Sequence, residues 1–149
     1  MTNKTIQQLT ARDDRSACAA AERIITESRA CGKWYALFDE FAALLQHPKF
    51  LVRNRALHLL AANARWDQEN RFEKILPDFL THVTDEKPIT ARQCVKALAV
   101  VGESKPALIP AILDALRNAD LTPYQESMRP LIEHDIRETT AKLTAVLQK

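Results

Sequence analysis

The stretch ILPDFLTHVTDEKPITARQCVKALAVVG, residues 75–102, decides the fold. Ile75, Leu76, Phe79 and Leu80 recur at the three- and four-residue spacing of one helix face, as an amphipathic helix requires. The polar link TDEKP follows, and a second helical pattern runs from about Ile89 to Val101. Pro88 has no N–H to give and a fixed φ, so it suits the first turn of a helix and punctuates the link. Residues 44–61, LLQHPKFLVRNRALHLLA, read the same way: a helix end, a break at His47–Lys49 containing Pro48, then a helix with Val52, Ala56, Leu57, Leu60 and Ala61 facing inward. Two helices joined by so short a link pack as an antiparallel hairpin.

Working outward, the same periodicity predicts a first helix over about Asp13–Ala30, closed by Gly32 as a left-handed cap. Further helices are expected at Lys33–Gln46, Phe50–Ala64, Gln68–Val83, Ile89–Val101 closed by Gly102, and Pro106–Arg117. A last stretch from Pro123 to the C-terminus should be kinked or divided at Pro130. No sustained period of two argues for strands. With only two glycines in 149 residues, glycine-rich phosphate loops and dinucleotide fingerprints are ruled out. A chain of this length, 46% hydrophobic and 27% charged, can bury one sizeable core without disulfides or metal.

The pattern repeats internally. At an offset of 39 residues, Val52-Arg53-Asn54-Arg55-Ala56-Leu57 falls over Ala91-Arg92-Gln93-Cys94-Val95-Lys96. At an offset of 33, Leu76-Pro77-x-Phe79 recurs as Ile109-Pro110-x-Ile112. Two helices per 33 to 40 residues mark a stacked array, because a single hairpin cannot cover its own apolar face.

In residues 44–61 and 75–102, with a degenerate third unit from Leu108 to about Ile136, the chain resembles HEAT-repeat proteins, relatives of armadillo repeats. Pro48 with Arg53, and Asp85 and Pro88 with Arg92, fit that family's pattern of an Asp- and Pro-bearing turn before a Val-Arg-x-x-Ala helix. Gln46 replaces the turn Asp in the first unit, and the third unit has Pro130 where an Arg is expected. The resemblance implies an all-α, right-handed superhelix of HEAT/armadillo-like hairpins, about six to eight helices in one domain. Residues 1–32 would form an N-terminal cap, 33–121 the repeat hairpins and 122–149 a C-terminal capping helix.

The net charge of +2 is too small to imply nucleic acid or a membrane surface by itself. Its distribution is uneven, however: Phe41 to Trp66 holds no carboxylate but carries Lys49, Arg53, Arg55 and Arg65. Three cysteines, Cys18, Cys31 and Cys94, show no C-x-x-C spacing and no secreted framework. MTNKTIQQLTARDD has no signal-like apolar core, and no window reaches the length of a membrane span. A cytoplasmic protein with no membrane partner is expected.

In HEAT-like arrays the second helices of successive units line a concave face, where partners usually dock. Asn54, Arg55, His58 and Arg65 recur about once per turn on the helix after Pro48, and Gln93 and Lys96 continue the polar surface on the next. Trp66 stands at the helix end and supplies contact area. These seven residues form the expected partner-binding surface, a partly basic groove for a protein. The alternative is a solvated face with Arg53 and Arg92 held in internal contacts. A second functional reading is a nucleic-acid backbone in the same groove, as in the HEAT-like DNA alkylation-repair glycosylases, although only the lone Trp66-Asp67 pair echoes their active site.

No catalytic residue, cofactor or metal is expected. His47, His58, His82 and His134 do not cluster, the His-Glu dipeptide of HEAT-repeat iron hydroxylases is absent, and His47 and His82 read as helix-end histidines facing carbonyls. Cys94 reads as a small core residue. Partner identity and oligomeric state stay open, with dimerisation through a terminal helix as one route.

Overall fold

The computed structural model describes residues 2–149. Eight α-helices and no strands occur among the described residues: α1 (Thr2–Leu9), α2 (Asp14–Ala30), α3 (Phe38–Ala43), α4 (Phe50–Asn63), α5 (Arg71–Thr81), α6 (Pro88–Ser104), α7 (Ile109–Arg117) and α8 (Arg129–Leu147). Tighter 3-10 turns cover Lys33–Leu37, Leu44–Gln46, Ala64–Trp66, His82–Thr84 and Pro106–Leu108. None of the helices is long and apolar enough to cross a membrane.

The long helices pack side by side, α2 on α4, α4 on α6 and α6 on α8. The shorter α3 packs on α4, and α7 touches both α6 and α8. Rings link the shorter helices: Tyr35 to Phe38, Phe38 to Phe72 and Phe72 to Phe79 stand 5.5, 5.8 and 5.4 Å apart between centroids. Helix α4 lies between α2 and α6 and buries residues on all sides, from Val52 to Asn63, as a helix enclosed by neighbours must.

The two arginines at equivalent repeat positions both reach into a following segment. Arg53 grips Asp85 through Nε at 3.1 Å and Nη2 at 2.9 Å, and Arg92 meets Asp135 through Nε at 2.6 Å. Arg53 also donates to the carbonyls of His47 and Pro48. Planar, forked guanidinium groups match carboxylates in this way. Asp85 thereby joins α4 to the turn before α6, and Tyr124 Oη donates to its carbonyl from the segment before α8.

Four local expectations need correction. Gly32 is not a left-handed cap: its φ is −94°, and Cys31 ends α2 by donating its N–H to the Glu27 carbonyl. What Gly32 provides is space, since an added Cβ would stand 3.2 Å from the Trp66 ring. Gly102 does not close a helix; α6 continues to Ser104, and an added Cβ at 102 would collide with a δ-methyl of Leu143 on α8. Both glycines permit close packing rather than unusual backbone angles. Pro130 neither kinks nor divides a helix, because α8 begins at Arg129 and places the proline in its first turn, where a missing N–H costs nothing. Finally, Thr2–Leu9 forms a helix that periodicity did not signal; its single fully buried Leu9 is too little pattern to detect.

Candidate interaction cleft

Helices α2, α4 and α6 frame a cleft of about 570 Å³, a volume within the range of ligand and partner pockets. Its floor is Ala61 and Ala62 of α4, and small side chains there leave depth between the flanking helices. Ile25 on α2 and the exposed Val100 on α6 add apolar wall. A second cleft of about 500 Å³ shares Glu22, Ile25 and His58 with the first and continues past Cys18, Leu51, Asn54 and Gln93. The two form one groove along the line where α2 and α4 meet.

Two hydrogen bonds fix how the helices stand beside one another. His58 Nε2 and Gln93 Oε1 lie 2.6 Å apart and tie the middle of α4 to α6. Arg65 Nη1 donates to the Arg29 carbonyl at 2.7 Å and ties the end of α4 to the end of α2. Burial, helped by the charge of Lys96, holds the His58 imidazole below its usual pKa of 6.5 against the opposing hydrogen bond that it donates to Gln93, so His58 is neutral at pH 7.

The residues expected to bind a partner separate into three groups. Asn54, His58, Arg65 and Gln93 line the groove, and Lys96 is exposed near His58. Asn54 Oδ1 is buried there with no hydrogen-bond partner. Arg55 also borders the groove, but it is only 8% exposed and spends its guanidinium on the Leu9 carbonyl and on Asp14, 3.0 and 3.1 Å away. Trp66 does not line the groove. Its indole N–H donates to the Ser28 carbonyl at 2.7 Å, its ring covers Gly32, and Arg65 lies over that ring 5.0 Å from the centroid.

Of the four cations in the carboxylate-free stretch, only Arg65 is left without a carboxylate partner among the described residues. Acids from elsewhere neutralise the rest: Asp85 pairs with Arg53, and Asp14 pairs with both Lys49 and Arg55. Negative charge was absent from the sequence window but not from its spatial surroundings. The Asp14 carboxyl is correspondingly held below the usual carboxylate range by hydrogen bonds from Lys49 and Arg55.

His82 likewise departs from the expectation of a helix-end histidine facing carbonyls. Its Nδ1 sits 2.7 Å from Asp85 Oδ2, inside the Arg53 network. Burial alone would raise the Asp85 carboxyl, yet hydrogen bonds from His82, Arg53 and the Lys87 amide hold it far below its ordinary value. A similar knot surrounds Asp67, which caps α5 by accepting from the Arg71 and Phe72 amides and also accepts from Tyr35 Oη and Lys105 Nζ. These donors outweigh burial and bring its pKa down to about 2. Cys94 is buried, and burial pushes its thiol well up, as suits a core residue rather than a nucleophile.

Sequence reasoning missed the α2 wall. Cys18, Glu22, Ile25 and Arg29 form a second stripe at helical spacing, offset from the core stripe of Ala17, Ala21, Ile24 and Ser28. A polar stripe with one isoleucine is ordinary for a solvated helix face, so no signal marked it. Among the described residues no group of His, Cys, Asp and Glu is placed to hold a metal ion.

No protein-family model, curated protein or solved structure matches the chain.

Proposed function

We propose that the chain is a small HEAT-like helical-repeat scaffold that binds a protein partner along the groove framed by α2, α4 and α6, without catalysis. In this reading the parallel stacking of the long helices is a short superhelix and the groove lies on its concave face. The observation that carries the proposal is the groove itself: an alanine floor on α4 flanked by exposed Val100 and by charged rims, while the protein's core and its repeat arginines are satisfied internally. Apolar centre and polar rim are the usual anatomy of a protein interface. The repeat arginines Arg53 and Arg92 support the repeat reading, since each occupies the same position in its unit and makes the same kind of forked contact.

The nucleic-acid alternative is weakened by the geometry, because Arg53 and Arg55 are committed to Asp85 and Asp14 and the unpaired Arg29, Arg65 and Lys96 stand among the carboxylates Glu22 and Glu103. Phosphate binding requires unpaired cations and weakens steeply with salt. Duplex DNA mixed with the protein at low salt is expected to show no mobility shift.

The test of the protein-binding reading uses Val100→Arg. Val100 is 44% exposed, so the substitution places a bulky charge in the cleft without disturbing the core. Quantitative co-purification of the full chain and of this variant from cells that naturally express it should recover a partner with the first and lose it with the second. Equal recovery by both would remove the groove from the function.

A further inference from the structure

On the α2 and α6 walls Asp14 is paired with Lys49 and Arg55, and the charges further along the groove are left without an ion pair. Glu22 on α2 accepts only from the Cys18 thiol, and among the described residues Arg15, Arg29, Arg65, Lys96 and Glu103 make no ion pair. Their signs alternate. Along α2 the groove meets Arg15, then Glu22 and then Arg29, the last beside Arg65. On α6, exposed Lys96 stands beside the groove near His58, and Glu103 lies on the cleft that Arg29 and Arg65 also line. From Glu22 to Arg29 α2 runs from negative to positive, and from Lys96 to Glu103 α6 runs from positive to negative. The seven residues between Glu22 and Arg29 correspond to about 10 Å of helix axis.

The backbone in this groove offers nothing to an extended peptide. All three walls are helices whose amides and carbonyls bond internally, and His58 and Gln93 are already paired with each other. An incoming strand would bury its own backbone groups without partners, whereas a helix arrives with them satisfied. A nucleic-acid backbone, uniformly negative, would meet Glu22 and Glu103. We infer that the groove receives a partner protein's α-helix of mixed charge: small apolar residues over Ala61 and Ala62, a Lys or Arg facing Glu22 with an Asp or Glu about seven residues on facing Arg29, and the reverse order on the flank facing Lys96 and Glu103. This rests on the protein-binding reading above and adds to it the chemistry of the partner.

The test is a display library of helical peptides with every position of one face randomised, selected against the full chain. The peptides enriched should carry the paired charge order. Glu22→Lys should weaken the best of them about tenfold, and changing that peptide's matching Lys or Arg to Glu should restore binding to the Glu22→Lys variant. Glu22, Lys96 and Val100 are exposed, so the variants keep the fold. Peptides that Val100→Arg abolishes but that show no charge order, and no response to Glu22→Lys or Lys96→Glu, overturn this inference and leave the protein-binding groove standing. Failure to enrich any peptide sensitive to Val100→Arg overturns both.

Discussion

Replacing Asp85 with alanine tests how α4 is joined to the turn before α6. The Asp85 and Arg53 side chains are only 5% and 8% exposed, so neither is rescued by water when its partner goes. The substitution removes the acceptor for Arg53 Nε and Nη2, for the His82 imidazole and for the Lys87 amide. Truncating one partner of a buried ion pair leaves an uncompensated charge and costs about 3–5 kcal/mol. Arg53→Met is milder, about 2 kcal/mol, because Asp85 keeps His82 and the Lys87 amide and the methionine refills part of the volume. If the two side chains act through each other, the double variant loses no more than Asp85→Ala alone, which gives a coupling of about 2 kcal/mol. Urea unfolding followed by far-UV circular dichroism at pH 7 reads this directly. With a slope of about 1.5 kcal/mol per molar, a loss of 3 kcal/mol lowers the midpoint by about 2 M. Asp85→Asn, which keeps an acceptor oxygen, provides a folded reference if the alanine variant is too unstable to measure. Strict additivity of the two substitutions, or a loss below about 1 kcal/mol for Asp85→Ala, would refute the view that this pair ties α4 to that turn.

Stability should depend on pH in two windows. Asp67 titrates at about 2 when folded against 3.8 when free, so its contribution of about 2 kcal/mol is complete above pH 4 and is lost between pH 4 and 2; Asp67→Asn should flatten urea midpoints across that range. Folded His58 binds its proton less readily than the free side chain, so stability should begin to fall as pH drops below 6.5, and His58→Gln should remove that part of the slope. Gly102→Ala gains about 1 kcal/mol of helix propensity but must displace Leu143, which is fully buried, so a net loss of about 1 kcal/mol is expected in thermal melts. A stabilised variant would mean that α8 sits further from α6. Pro130→Ala should change stability by less than about 0.5 kcal/mol, whereas a proline inside a helix would give a gain of about 3 kcal/mol on removal.

Much of the helical architecture was legible from local pattern. The breaks at Pro48, Pro88 and Pro106 are where the structure has them, because proline acts through its own φ and missing N–H and needs no distant partner. The glycines were misread for the complementary reason. Gly32 and Gly102 are required by Trp66 and Leu143, which are 34 and 41 residues away, and nothing beside either glycine records that contact. Pro130 was misplaced because the turn residues before it, from Asn118 to Met128, carry leucine and tyrosine at spacings that imitate a helix.

The candidate surface divides along the same line. Asn54, His58, Arg65, Gln93 and Lys96 could be placed on helix faces from spacing alone, since 3.6 residues per turn fixes which neighbours share a side. Charge could not be judged that way. A run without carboxylates looked basic, yet Asp14 and Asp85 enter from 41 and 32 residues away to neutralise Arg55 and Arg53. Coulomb interactions depend on distance in space, which a window of sequence does not contain. What the sequence by itself determined is therefore the all-helical class, most of the helices and most of their breaks, all set by short-range sterics and periodic burial. Only the tertiary structure decided which charges are consumed between the helices and which stand unpaired around the groove, because that outcome belongs to the packing of α2, α4 and α6 against one another.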